Sequence, residues 1–193
     1  MYSDKFRDIN RYAGRTAVYR SKPSLPMRWL LDSGELEIKE GIKVLDFGCG
    51  KGRDVRTLRD LGVDATGYDL YQTAPLCHEP EHGKYDVVLC TYVLNVTCND
   101  SEMLCIMADA MSCLKTGGVA YFSVRRDLYE DTVAKTTKAT QRRVHPDVAM
   151  PIVRSIAHKT SKFQTYKAEK NNYVAIDYVR RMAGLRMVLL PVT

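Results

Sequence analysis

The chain has 193 residues, 45 % of them apolar and 27 % charged, with 29 Lys and Arg against 23 Asp and Glu. That composition excludes a disordered or fibrous chain, and the length suits one domain burying roughly two thirds or more of its unfolded surface. No apolar run approaches the ~20 residues of a membrane span, and the start, Met1-Tyr2-Ser3-Asp4-Lys5, leads into charge rather than a secretory signal, so neither a spanning nor an exported protein is expected.

The charge is unevenly placed. Residues 1–28 hold seven basic and two acidic side chains, residues 41–124 seven against eleven, and residues 125–193 fourteen against six. An acidic middle is flanked by two basic ends, which would attract a nucleic acid if both packed on one side; a solvated Lys/Arg surface is the other reading. Six cysteines stand at 49, 77, 90, 98, 105 and 113 without a Cys-x-x-Cys pair, which suggests free thiols and a cytoplasmic location.

The head, residues 1–24, is polar with spaced aromatics and reads as a helix or an adaptable arm. Ser24 with Pro26 just inside predicts a helix start, and Met27, Leu30 and Leu31 give that helix an apolar face. Ile42 to Phe47 predicts a strand running into the glycine loop Gly48-Cys49-Gly50-Lys51-Gly52, then a helix over 53–61 with Val55, Leu58 and Leu61 on one stripe. A second strand over roughly 63–69 ends at Asp69, and residues 71–84 look irregular. Tyr85 to Thr91 is a near-continuous apolar run, expected of a strand covered on both faces. Asp100-Ser101 predicts the cap of a helix to about 114, ended by Gly117-Gly118, and Val119 to Val124 another buried strand. Further on, the pattern suggests a helix around 147–158, then a hairpin of Phe163–Ala168 and Tyr173–Val179 turning at Asn171-Asn172.

This order predicts an α/β fold: a single Rossmann-like, doubly wound, mostly parallel sheet with a C-terminal antiparallel hairpin. No repeat or linker splits the chain. The expected organisation is one domain over 1–193, with a basic arm and helix at 1–40, a cofactor-binding core at 42–124 and a basic substrate-side segment at 125–193.

The glycine loop carries the chemistry. A strand, Gly48-x-Gly50-x-Gly52 and a helix N-terminus put bare backbone against a ligand, and Asp69, seventeen residues past Gly52, ends the next strand where a carboxylate accepts ribose hydroxyls. The combination predicts a nucleoside-binding site. Arg53 breaks the dinucleotide pattern G-x-G-x-x-G, and the G-x-x-x-x-G-K-[ST] phosphate loop is absent.

Asp46-Phe47-Gly48-Cys49-Gly50-Lys51-Gly52, together with Asp69, resembles the class I S-adenosylmethionine-dependent methyltransferases over residues 42–124. The resemblance implies S-adenosylmethionine as cofactor, held by Asp46, Gly48, Cys49, Gly50 and Gly52 at its methionine part. Asp69 would then hold the ribose, Leu70 would touch the adenine, and Thr91 and Tyr92 would border the methyl group. A narrower likeness runs through Arg15-Thr16-Ala17, Leu25-Pro26-Met27-Arg28, Thr66-Gly67-Tyr68-Asp69 and Tyr92-Val93-Leu94-Asn95-Val96. That series is similar to a bacterial group named DNA-phosphorothioation-associated putative methyltransferases.

Departures from the family matter too. Only fifteen residues separate Asp69 from Tyr85, too few for the family's usual helix and strand, so the sheet is expected to be shortened between its second and fourth strands. The [DN]-P-P-[YF] of base-amino methyltransferases is replaced by Thr91-Tyr92-Val93-Leu94, and Cys90 lacks the preceding Pro of carbon-5 cytosine enzymes and reads as core. Leu94-Asn95-Val96 looks more like small-molecule, ribose or carboxyl methyltransferases.

The catalytic residue stays open. Tyr92 is the candidate aromatic face for the cationic donor, and Tyr12, Tyr19, Asn95 and His145 are equal candidates for a base. Arg15, Arg28, Arg125, Arg142 and Arg143 are candidate substrate contacts, as is Arg180-Arg181. His78-Glu79-Pro80-Glu81-His82 matches the zinc motif H-E-x-x-H, but Pro80 costs about 3 kcal/mol in a helix interior, so a surface loop and no metal are expected. The leading reading is methyl transfer to nucleic acid, RNA or DNA, through the basic flanks. The alternatives are a small-molecule acceptor or a non-catalytic binding module.

Overall fold

The computed structural model describes residues 10–71, 76–145 and 155–170. Helix α1 (Leu25–Asp32) starts where Ser24 accepts a bond from the Met27 N–H, with Pro26 in its first turn. Strand β1 (Lys43–Phe47) leads through the glycine loop into α2 (Arg53–Asp60), and β2 (Asp64–Tyr68) follows. After β3 (Tyr85–Thr91) come α3 (Asp100–Cys113) and β4 (Leu114–Arg125), then a small ribbon of β5 (Thr132–Val133) and β6 (Thr140–Gln141). Strands β7 (Ser155–Lys159) and β8 (Phe163–Glu169) close the described chain.

The main sheet has the order β2-β1-β3-β4-β8-β7. Its first four strands are parallel, and β8 and β7 are antiparallel. The mostly parallel α/β sheet is thus as expected, and so is its shortening. Between β2 and β3, among the described residues, a single bridge, Gly67 to Cys77, stands where a strand would pair with β2. Arg59 covers another part of that edge, its Nε donating to the Ala65 carbonyl at 2.8 Å.

Alternation along the strands divides the core. Val44, Val87 and Leu89 meet Met27 and Leu30 of α1 and Val55 and Leu58 of α2 on one face. Leu45, Val88 and Cys90 meet Met103 and Met107 of α3, with Phe122 and Tyr166, on the other. Helices on both faces explain the unbroken apolar run of β3. Leu58 and Met107 are fully buried, so truncating either to Ala would destabilise by about 2–5 kcal/mol.

Three local expectations are corrected. The cap of α3 is Asn99, whose side chain accepts from the Glu102 N–H, one residue before the predicted pair. Gly117 and Gly118 lie in β4 rather than ending α3; Gly117 donates to the Lys170 carbonyl and Gly118 accepts from the Lys170 N–H. Residues 155–158 form an edge strand, not a helix, because β8 supplies a pairing partner that local pattern does not reveal. The hairpin partner of β8 therefore precedes it, and Tyr173–Val179 and Asn171-Asn172 lie outside the described residues. Among the described residues no helix is long and apolar enough to cross a membrane.

Candidate active site

Strands β1 and β3 diverge in connection direction, and the crevice beyond their carboxyl ends is where open α/β sheets bind ligands. Here β1 ends in a loop tied to β2: the N–H groups of Gly48 and Cys49 both donate to the Tyr68 carbonyl, at 2.7 and 3.0 Å. Gly50 donates to Asp69 Oδ2 at 2.8 Å, and the Tyr71 N–H donates to Asp69 Oδ1 at 2.9 Å. Gly48 and Gly50 both have positive φ, +85° and +54°. A Cβ on Gly48 would sit 2.2 Å from Val93 Cγ2, so the close approach requires glycine.

Gly48, Cys49, Gly50 and Asp69 line a cavity of about 140 Å³, joined by Leu70, Thr91 and Tyr92. Asp46 and Gly52, expected to touch the cofactor, do not line it, and Asp46 is almost wholly buried. Burial pushes the Asp46 carboxyl well above the usual carboxylate range; the negative Asp54 and Asp69 add to this, and Arg20 opposes it. Tyr92 holds φ +64°, uncommon for a non-glycine residue, with its N–H donating to the Ser123 carbonyl at 2.7 Å. Burial pushes its phenol up to about 12, against Arg20 and Arg125, so it keeps its proton at neutral pH and presents a ring, not a base. The Arg20 guanidinium lies 5.8 Å from the centre of that ring.

Sequence reasoning assigned no cofactor contact on the opposite wall. Asn10, Ala13, Gly14, Ala17 and Arg20 bring the N-terminal arm over the cavity. The Tyr71 hydroxyl donates to the Asn10 carbonyl at 3.0 Å, and Gly14 packs so tightly on Tyr71 that a Cβ there would come within 2.4 Å. Asp54 was also missed; buried in the first turn of α2, it accepts the Ser24 N–H at 2.8 Å and so joins the starts of two helices. The Asn99-x-x-Glu102 spacing was the one available signal for Glu102, a fully buried carboxylate on the cavity wall. Arg53 lines the cavity as well, its Nε buried without a hydrogen-bond partner among the described residues.

Other candidates stand elsewhere. Asn95 is fully buried, its Oδ1 accepting the Arg125 N–H at 2.7 Å and its Nδ2 donating to the Arg142 carbonyl at 2.8 Å, which makes it a framework residue rather than a base. Arg125 pairs with Asp127 through two bonds, 2.9 and 2.8 Å. Arg142, its side chain only 15 % exposed, pairs with Asp100 at 2.5 Å and Asp131 at 3.5 Å. The Arg143 N–H donates to Asp131 and its guanidinium to the Tyr129 carbonyl. His145 lines a separate hollow with Arg142, Arg143 and Tyr129, sharing no residue with the cavity.

Tyr12 has the Arg11 and Arg15 guanidinium groups 5.0 and 4.7 Å from its ring centre, and Tyr19 is exposed beside Lys51; neither lines the cavity. Arg15 and Arg28 are exposed. Of the basic flanks, then, only the N-terminal arm meets the cavity among the described residues, and Arg180-Arg181 lies outside them. His78 and His82 lie in a non-helical loop, and the His82 ring bonds the Ser112 hydroxyl at 2.7 Å. Cys90 is buried in the sheet.

Residues 20–182 match the family described as Methyltransferase domain. The ubiquinone biosynthesis O-methyltransferase of Shewanella pealeana is 30 % identical over 118 residues, covering 48 % of this chain and 49 % of its own length, and that of Shewanella halifaxensis matches to the same extent. The chain thus spans about half the length of the curated relatives it matches. Among solved structures, the 1,6-didemethyltoxoflavin-N1-methyltransferase of Burkholderia thailandensis superposes with a TM-score of 0.58 at 16 % identity, over 77 % of this chain and 78 % of that one. A methyltransferase from Mesorhizobium loti gives 0.54 at 11 % identity, over 74 % and 97 %. These two share the fold.

Proposed function

The chain belongs to the methyltransferase domain family, and from that premise we propose that it transfers the methyl group of S-adenosylmethionine to a small-molecule acceptor. The observation that carries this is the glycine loop bonded to Asp69 at the carboxyl edge of β1 and β2, under the N-terminal arm. The residues present fit the cofactor. Asp54 and Asp69 place two carboxyl groups on the cavity lining, which favours a ligand carrying a sulfonium and an ammonium. Arg20 and the orphaned Nε of Arg53 offer donors for its carboxylate. Asp69 has acceptor capacity left for ribose hydroxyls beyond its two backbone bonds.

When bound, S-adenosylmethionine supplies a methyl group on a sulfonium whose thioether leaves readily. The protein's part is alignment and exclusion of water. The strained Tyr92 backbone aims its ring at the cavity, where its face favours positive charge, and the arm covers the opening.

The acceptor reading rests on two supports. Arg125, Arg142 and Arg143, the tail groups expected to grip phosphates, are committed to Asp127, Asp100, Asp131 and a carbonyl. The curated relatives are named for ubiquinone biosynthesis, a small-molecule pathway. Within the narrower likeness to the phosphorothioation-associated group, Arg15-Thr16-Ala17 falls on the covering arm. The test is incubation with methyl-labelled S-adenosylmethionine and separate pools of phenolic and heteroaromatic metabolites, RNA, DNA and protein. Label in the small-molecule pool is the expected result. Label confined to RNA or DNA and released by nuclease overturns it.

A further inference from the structure

The thiols of Cys49 and Cys77 lie 3.2 Å apart, one inside the glycine loop and the other on the connection after β2. All six cysteines are free. From this contact we infer that Cys49 and Cys77 form an oxidative modification site, a dithiol that a peroxide converts to a disulfide and that thereby weakens cofactor binding. The second half rests on the cofactor reading above.

The contact is built by the fold. Cys77 is pinned against β2 from both sides: the Gly67 N–H donates to the Leu76 carbonyl at 3.0 Å, and the His78 N–H donates to the Gly67 carbonyl at 2.8 Å. Gly67 makes room for it, since a Cβ there would meet Cys49 Sγ at 2.8 Å and the Leu76 carbonyl oxygen at 2.9 Å. Among the described residues of this connection Cys77 is the one that bridges to β2, and its thiol lies against the loop.

The chemistry balances with hydrogen peroxide as oxidant. The Cys77 thiolate attacks one peroxide oxygen, breaking the O–O bond and releasing water as that leaving oxygen takes up a proton, and becomes a sulfenic acid. Cys49 then attacks the Cys77 sulfur, forming the S–S bond; the sulfenic oxygen leaves as a second water with the Cys49 proton. Burial and the neighbouring Asp46 push the Cys49 thiol up, so Cys49 gives up its proton only as it attacks the Cys77 sulfur.

A disulfide spans about 2.05 Å between sulfurs, so the pair must close. Closing it pulls on the loop, where the Cys49 N–H donates to the Tyr68 carbonyl at 3.0 Å and the Gly50 N–H to Asp69 at 2.8 Å. Cys49 lines the cavity and Cys77 does not, so the loop is drawn away from the ligand, disturbing the Gly50 N–H that Asp69 accepts.

The experiment treats the full chain with hydrogen peroxide, alkylates residual thiols and maps peptides by mass spectrometry. In parallel, S-adenosylhomocysteine is titrated calorimetrically into reduced and oxidised protein. The expected result is a Cys49–Cys77 linked peptide, an affinity loss of about tenfold or more, and recovery with dithiothreitol. Cys77→Ser should bind normally and lose the sensitivity, while Cys98→Ser should keep it. Both thiols alkylated after exposure that oxidises half-buried Cys98 would overturn the site; a linked protein that binds as well as the reduced one would overturn its effect. Failure of the reduced protein to bind S-adenosylhomocysteine would count against the cofactor reading, and peptide mapping would still decide the disulfide.

Discussion

The Asn10 side-chain amide donates to Glu102 Oε1 at 2.8 Å, joining the N-terminal arm to the first turn of α3 across the cavity wall. The same amide donates to the Val96 carbonyl at 2.7 Å, and Glu102 Oε2 accepts the Cys98 N–H. Asn10→Ala should therefore loosen the cover over the ligand. Calorimetry should show S-adenosylhomocysteine binding weakened by about 1.5–3 kcal/mol, the scale of a hydrogen bond to a charged group. Glu102→Ala should lower the thermal midpoint more than Asn10→Ala, because it also leaves the half-buried Cys98 N–H without its acceptor. Equal binding by wild type and Asn10→Ala would show that the arm does not cover the ligand.

Asp69→Ala removes the acceptor of the Gly50 and Tyr71 N–H groups and, on the proposed reading, the acceptor of the ribose hydroxyls. Cofactor-product affinity should fall by about 1.5–3 kcal/mol. Gly50→Val should be worse, because φ is +54° there and a Cβ would lie 3.3 Å from that of Ala17. Circular dichroism first establishes that both variants are folded; unchanged affinity in Asp69→Ala would remove it from the site.

The pH dependence of stability should carry the mark of Asp46. Its folded pKa is raised above the ordinary 3.8 by burial and by Asp54 and Asp69, so the native state holds the proton more tightly than the unfolded chain. Stability from this group is thus greatest below the ordinary value and falls as pH rises through the raised one. Asp46→Asn should flatten that fall and raise the urea midpoint at neutral pH. Parallel midpoint curves for the two proteins, from acid to neutral pH, would contradict this.

Arg142→Ala tests whether that side chain is framework or phosphate contact. With its guanidinium paired to Asp100 and Asp131 and bonded to the Thr97 hydroxyl, loss should destabilise by about 1–3 kcal/mol and leave cofactor affinity unchanged. An unchanged thermal midpoint together with weaker, less salt-dependent nucleic-acid binding would restore the phosphate role.

What was legible in the sequence was local. The strand–loop–helix–strand unit from Lys43 to Tyr68 announces itself through apolar periodicity and glycine spacing, and the fifteen residues after Asp69 were too few for the usual helix and strand. What was hidden depends on distant partners. Asn95 and Arg142 became framework because each found partners some thirty to forty-seven positions away. Residues 155–159 became a strand because β8 offered an edge. The arm's role depends on Tyr71 and Glu102, contacts that no pattern within residues 1–24 encodes.

The most direct measurement is a calorimetric titration of S-adenosylhomocysteine into the purified chain, with NAD as the control ligand and Asp69→Ala alongside. One-to-one binding of S-adenosylhomocysteine, weakened in Asp69→Ala and absent for NAD, is the predicted result. Binding of NAD without binding of S-adenosylhomocysteine would contradict it.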